Sequence, residues 1–250
     1  MTRPALGDMI RRIARDAANS DEKFLVVKNH HGLPDVNVGS DVDILVRPNR
    51  MRHWHELLVR ACRSFGATVE RARCYFYSQQ HIIHGLDTGS LQIDLMPRLH
   101  WRGVDWMDIH EVHGRAVRFR EDLWIPHPAD ECVITFCLSY LHGGFVKTRY
   151  LPLLSRLAAA HDHEVSKQLK RIFGDRGGAE IVEELRLENL AGLHRRATSR
   201  RIRVLLRALA RKPVHSITTM ALGYAMEALI TAEQAESSNE ARNRTATRAA

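Results

Sequence analysis

FLVVKNHHGLPDVNVGSDVDILVRP, residues 24–48, is the stretch from which the rest of this chain is read, and its weight lies at Gly39-Ser40-Asp41-Val42-Asp43. From Asp41 to Val46 the residues alternate, so in a strand Asp41, Asp43 and Leu45 face one way and Val42, Ile44 and Val46 the other. Alternate side chains along a strand are rooted roughly 6.6 Å apart, which lets two carboxylates converge on one divalent cation or on two ions about 3.5–4 Å apart. A solvated edge strand with an acidic outer face has the same pattern. A third acid in a matching setting favours the cation reading, and the chain supplies one at Asp94. In Leu91-Gln92-Ile93-Asp94-Leu95-Met96-Pro97 the apolar Leu91, Ile93 and Leu95 share a face, with Gln92 and Asp94 on the other.

Outward from these strands the chain divides in two. Leu6, Met9, Ile10, Ile13 and Ala17 recur at helical spacing across residues 4–19, and Phe24 to Val27 reads as a short apolar strand. Gly32 and Pro34 then stop regular structure and hold Lys28 and Asn29 near the acidic strand. Asn49 is the expected cap of a helix over residues 50–65 that buries Trp54, Leu57, Leu58 and Ala61 and stops at Gly66. Strand composition follows at 67–71 and 74–84, then turn composition at 85–90. Residues 20–125 are expected to form a mixed sheet with helices on one side, Asp94 lying on the strand beside Asp41 and Asp43.

After residue 125 the pattern turns helical. Pro128-Ala129-Asp130-Glu131 reads as a helix start, with Pro in the first turn and acids near the positive end of the dipole. Helical segments follow near 146–160, 163–173, 178–192, 198–211 and 214–232, with breaks expected at Gly174, Gly177-Gly178 and Pro213. The expected organisation is α+β: a mixed-sheet domain over 1–125, a helical domain over 126–235, and a polar tail over 236–250 with disordered composition.

A chain of 250 residues, 44% of them hydrophobic, can bury a real core. The net charge of +8 suits phosphate-bearing ligands, nucleic acid or an anionic membrane surface. Much of it lies in Arg195, Arg196, Arg200, Arg201, Arg203, Arg207, Arg211 and Lys212, where Ile202, Val204, Leu205, Leu206 and Leu209 suggest a helix with one buried and one solvated basic side. Lacking a glycine-rich or aromatic nucleic-acid signature, that charge predicts only weak, salt-sensitive binding of RNA or DNA. Cys62, Cys74, Cys132 and Cys137 show no C-x-x-C spacing and read as buried free thiols in a reducing compartment. The N-terminus has no apolar h-region, and residues 214–232 contain His215 and Glu227, so a packed helix rather than a membrane span is expected, in a cytoplasmic protein. The 15 histidines form no metalloprotease-type motif, and His30-His31, His81 and His84 are read as structural or surface residues. The dispersed Trp54, Trp101, Trp106 and Trp124 are read as core or pocket walls.

With Asp41, Asp43 and Asp94 in place, the chain resembles the nucleotidyltransferase superfamily with a DNA polymerase beta-like palm, whose members carry an h-D-h-D-h strand and a later third carboxylate; here the run is D-h-D-h-h-V from Asp41 to Val46, with Asp94 as the later acid. Within that superfamily it looks most like the stand-alone proteins of bacterial surface-polysaccharide gene clusters. Further echoes are Ile93-Asp94-Leu95 with Trp101-Arg102-Gly103, the Pro128 to Glu131 helix start, and Lys147-Thr148-Arg149-Tyr150. The likeness covers residues 20–155. It departs in one place: where the family uses an upstream Gly-Ser this chain has Asn29-His30, and its own Gly39-Ser40 abuts Asp41.

The resemblance implies two-metal transfer of a nucleoside monophosphate from an NTP to a hydroxyl of a small acceptor, such as a sugar, with Asp41, Asp43 and Asp94 holding two Mg²⁺. It implies Asp94 as proton acceptor, and Lys28, Asn29, Gly39, Ser40, Lys147 and Arg149 as contacts to nucleotide or substrate. Two other readings stand beside it. One is a catalytically silent palm acting as a binding or scaffold protein, consistent with the altered Gly-Ser position. The other is an RNA-directed transferase, suggested by the basic helical half.

Overall fold

The computed structural model describes residues 4–37, 41–74, 78–222 and 225. Helix α1 (Leu6–Ala18) leads into β1 (Phe24–Val26), β2 (Asp41–Leu45), α2 (Met51–Ser64) and a run of strands β3 (Thr68–Cys74), β4 (Gln79–Leu86) and β5 (Gly89–Met96). A hairpin of β6 (Leu99–Trp101) and β7 (Val104–Met107), helix α3 (Ile109–Arg115) and a second hairpin of β8 (Val117–Arg120) and β9 (Leu123–Ile125) complete the first half. The second half is α4 (Pro128–Gly143), α5 (Leu151–Ala160), α6 (Asp162–Phe173), α7 (Asp175–Arg186), α8 (Leu190–Arg195) and α9 (Ala197–Arg211), followed by further helical residues over 213–222.

Seven strands form one mixed sheet in the order β3-β4-β5-β2-β1-β9-β8, with β6 and β7 as a separate pair. The parallel neighbours are β2 with β5 and β1 with β9, and the other pairs are antiparallel. The period of two assigns the faces as the alternation predicts. Val42, Ile44, Val46, Leu91, Ile93 and Leu95 share a core with Ile10, Ile13, Leu57 and Leu58 of α1 and α2. Leu25, Leu45 and Met96 join the other core, with Phe136, Tyr140, Leu154, Leu169 and Ile181 of the helical half. Ile109 and Val112 of α3 belong to this second core. The expectation of helices on one side only is therefore corrected: the face that carries the acids is roofed by helices too.

Several local expectations need correction. Asn49 lies in a 3-10 turn before α2, whose N-cap is Arg50 with no side-chain cap bond. The run 74–84 is not one strand, since β3 ends at Cys74 and β4 begins at Gln79. The segment expected over 146–160 opens with a 3-10 turn, Thr148–Tyr150, and 178–192 divides into α7 and α8. Gly177 and Gly178 do not break a helix. Both are buried in α7, where a Cβ on Gly178 would lie 2.6 Å from the Leu169 carbonyl carbon and the Lys170 Cα of α6. Glycine there allows two helix backbones to touch, and overpacking is the cost of anything larger.

Gly66, Gly144 and Gly174 do stand at helix ends with positive φ. Trp101-Arg102-Gly103 is the tight turn of the β6–β7 hairpin, with Arg102 at φ 49° and Gly103 at φ 80°, the signs a two-residue primed turn requires. A Cβ on Gly103 would overlap the Thr219 carbonyl, so the helical residues over 213–222 lie directly on that turn. The expected helix over 214–232 extends beyond the described residues, and the tail over 236–250 lies outside them. Among the described residues, no helix is long and apolar enough to cross a membrane. Cys62, Cys132 and Cys137 are buried free thiols.

Trp54, Trp101 and Trp106 are core residues. The basic helix α9 departs from its expected two-sided pattern. Arg200 is 1% exposed, whereas Ile202 and Leu206 are 51% and 58% exposed.

Candidate functional site

The parallel pairing of β2 with β5 sets Asp43 opposite Asp94 and Asp41 opposite Gln92. One carboxylate oxygen from each of Asp41, Asp43 and Asp94 lies within 4.8 Å of the others. Local alternation aims each acid, but only this register brings them together. Asp43 is the most deeply placed, at 6% exposure, and Asp41 and Asp94 are half-buried. Gln92 donates its amide to both Asp94 oxygens at 3.2 and 3.3 Å and so fixes that carboxylate's orientation.

Lys28 follows β1 closely and enters the cluster from the neighbouring strand. Its Nζ is 2.8 Å from Asp43 Oδ2 and 4.0 Å from Asp41 Oδ2. Burial works against the ammonium, but the attraction of Asp43 and Asp41 outweighs it and raises the Lys28 pKa. Burial raises Asp43 despite Lys28, with Asp41 adding repulsion. Asp94 is pushed up to about 6, first by burial and then by the charges of Asp43 and Asp41. Among the described residues, Lys28 is the ammonium that touches these carboxylates, pairing with two of the three.

The helical half completes the wall. Between α4 and α5 the chain passes through Lys147, Arg149 and the buried Tyr150. The Tyr150 hydroxyl donates to Asn29 Oδ1 at 3.4 Å and accepts from Arg149 Nη2 at 3.0 Å. Lys147 is exposed, and its charge reaches Asp43 and helps hold that pKa down. Asn29 has φ 57° and ψ 26°, a left-handed conformation that Asn tolerates better than other side-chain-bearing residues. Of the residues singled out from sequence, Lys28, Asn29, Asp41, Asp43, Asp94, Lys147 and Arg149 thus gather at one end of the sheet–helix junction. Gly39 and Ser40 lie outside the described residues. Sequence reasoning missed Gln92 as a partner of Asp94, although both stand two apart on one face, and it missed Tyr150, which no local pattern ties to Asn29.

A pH-dependent effect follows from the position of Asp94. A carboxyl whose folded pKa is raised binds its proton more tightly in the folded state, so stability is lost as pH rises from its ordinary value near 3.8 to about 6. Asp94→Asn removes that loss while keeping the shape. The variant should melt higher than the parent by roughly 2–4 °C per kcal/mol recovered at pH 7.5, with the difference vanishing near pH 4. Thermal melts of both proteins without added metal, across that range, check it; a difference that does not depend on pH would show that Asp94 carries no displaced charge.

Compared with protein-family models, with curated proteins and with solved structures, the chain finds no match in any of the three.

Proposed function

We propose that this chain is a metal-dependent nucleotidyltransferase with a DNA polymerase beta-like palm, moving a nucleoside monophosphate from an NTP to a hydroxyl of a small acceptor. The observation that carries this reading is the convergence of Asp41, Asp43 and Asp94 from adjacent parallel strands, with carboxylate oxygens within 4.8 Å. Oxygen-only donors suit Mg²⁺, and burial, together with the charges of Asp43 and Asp41, raises the pKa of Asp94, a burden that a bound cation would relieve. The three acids would hold Mg²⁺, which when bound neutralises triphosphate charge and makes a coordinated hydroxyl more acidic.

The remaining roles belong to the chain's own groups. Asp94, on the strand beside Asp41 and Asp43 and held by the Gln92 amide, would accept the acceptor's proton. Lys147 and Arg149, exposed at the turn before α5, would meet phosphate oxygens. Asn29 stands where the resembled family has the first residue of its Gly-Ser, and its left-handed backbone is one that Gly adopts readily. Nucleic acid has little part in this reading. Arg196 and Arg200 are engaged by Glu180 and Glu184, and Arg201 lies over the Trp101 ring at 4.9 Å, so much of the basic helix is already occupied.

Lys28 supports a second reading. An ammonium 2.8 Å from Asp43 stands in for part of a cation's charge, as it would in a palm that binds a partner without transferring nucleotide. Purified protein with Mg²⁺, each labelled NTP and a panel of sugar acceptors, with pyrophosphate release as readout, separates the two. Pyrophosphate release that requires Mg²⁺ and an acceptor supports transfer. If Lys28→Ala binds Mg²⁺ more tightly than the parent and neither protein turns over any NTP, the silent palm is the better account.

A further inference from the structure

A second group of potential ligands lies outside the acidic trio. His30 and His31 occupy the 3-10 turn after β1, and Glu131 lies in the first turn of α4. One ligand atom from each of the three falls within 4.8 Å of the others. His30 and Glu131 are 2% and 5% exposed, while His31 is open to solvent. Sequence reasoning assigns the two histidines structural or surface roles and Glu131 to the helix dipole. Neither role accounts for the burial of an imidazole and a carboxyl facing each other.

The His30 Nδ1 atom is buried without a hydrogen-bond partner among the described residues, and it lies 3.6 Å from Glu131 Oε1. That separation is too long for a hydrogen bond. It is close to the distance between two ligand atoms on one tetrahedral ion, about 3.4 Å when each bond is about 2.0–2.2 Å. Unsatisfied buried polar atoms are rare because each costs free energy, so an orphaned nitrogen aimed at a carboxylate calls for a missing partner.

The geometry points to a Zn²⁺ site formed by His30, His31 and Glu131, with water completing the coordination on the exposed His31 side. Two nitrogens and one oxygen select zinc or a similar transition ion over Mg²⁺, which prefers oxygen ligands. An ion here ties the turn after Lys28 and Asn29 to the first turn of α4. It thereby clamps the sheet to the helical half beside the acidic trio. The site does not depend on the nucleotidyl-transfer reading.

The test uses the untagged full-length chain, stripped with chelator and titrated with Zn²⁺ against a metal-sensitive dye, and with Co²⁺ followed by its visible absorption. Because the chain has 15 histidines, variants decide the matter. His31→Ala alters an exposed residue and Glu131→Gln keeps size, so both are expected to fold, which circular dichroism checks. His84→Ala, at an exposed histidine elsewhere, is the control. The parent should bind about one Zn²⁺, resist excess Mg²⁺, melt higher with Zn²⁺, and show tetrahedral Co²⁺ absorption. Both site variants should lose about tenfold or more in affinity, and the control should lose none. Zn²⁺ binding that survives both substitutions, binding weakened equally by His84→Ala, or no binding by the parent would each overturn the assignment.

Discussion

Asp43→Asn should abolish nucleotidyl transfer while leaving the protein at least as stable as the parent. Asp43 is the innermost of the three acids, stands opposite Asp94 across the parallel β2–β5 pair, and carries the ion pair to Lys28. An amide of the same shape cannot supply the negative charge that a shared cation needs. Metal charge stabilisation is worth several kcal/mol, and a loss of about 4 kcal/mol corresponds to roughly a thousandfold in rate. Stability should move the other way, because burial raises the Asp43 pKa even with Lys28 beside it. The ionised form therefore weighs against the fold above that pKa, and a neutral side chain removes the burden. Pyrophosphate release and thermal melts on the same preparations read both effects. Near-parental turnover by this variant would remove Asp43 from the proposed machinery, and a large fall in melting temperature would make its role structural.

Arg200→Met should produce the largest loss of stability. Arg200 is 1% exposed, and its guanidinium reaches Glu184 at 2.7 Å, Glu180 at 3.2 Å and the Tyr140 hydroxyl at 3.4 Å. The Tyr140 hydroxyl in turn donates to the Leu193 carbonyl at 3.0 Å, so one side chain joins α4, α7, α8 and α9. Methionine fills similar space but strands Glu184, whose side chain is only 13% exposed. Removing one partner of a buried ion pair typically costs about 3–5 kcal/mol. Glu180 suffers less, since Arg196 and Arg176 also hold it, and these bonds draw its pKa down to about 2. Urea unfolding should therefore show a loss of about 3 kcal/mol or more, and adding Glu184→Gln should restore part of it by removing the stranded charge. A loss under about 1 kcal/mol would mean that solvent already screens the network.

The acidic site and the Arg200 network differ in how far they could be read before folding. Asp41, Asp43 and Asp94 were legible because a strand's period of two is a local property: the same alternation that buries Val42, Ile44, Ile93 and Leu95 must turn the acids to the opposite face. Arg200 was not legible. It sits in a run of arginines, and sequence spacing does not distinguish one that faces solvent from one that meets Glu180 and Glu184 on α7. Gly178 was misread for a similar reason, because a glycine that ends a helix and one that lets two helices touch look the same until the second helix is in place.

The sequence by itself determined the α+β class, the helical second half, the faces of the two acidic strands and the helix ends at Gly66 and Gly174, all of which depend on neighbours within a few residues. The tertiary structure alone decided that β2 and β5 are parallel neighbours, that Lys28 enters the carboxylate cluster, that Tyr150 reaches Asn29, and that His30 faces Glu131. Tyr150 and Asn29 are 121 residues apart in the chain. Side-chain periodicity tells a residue which way to point, but charge and hydrogen-bond partners are chosen by which surfaces the whole chain buries together, and that choice is made only when both cores close on the two faces of the sheet.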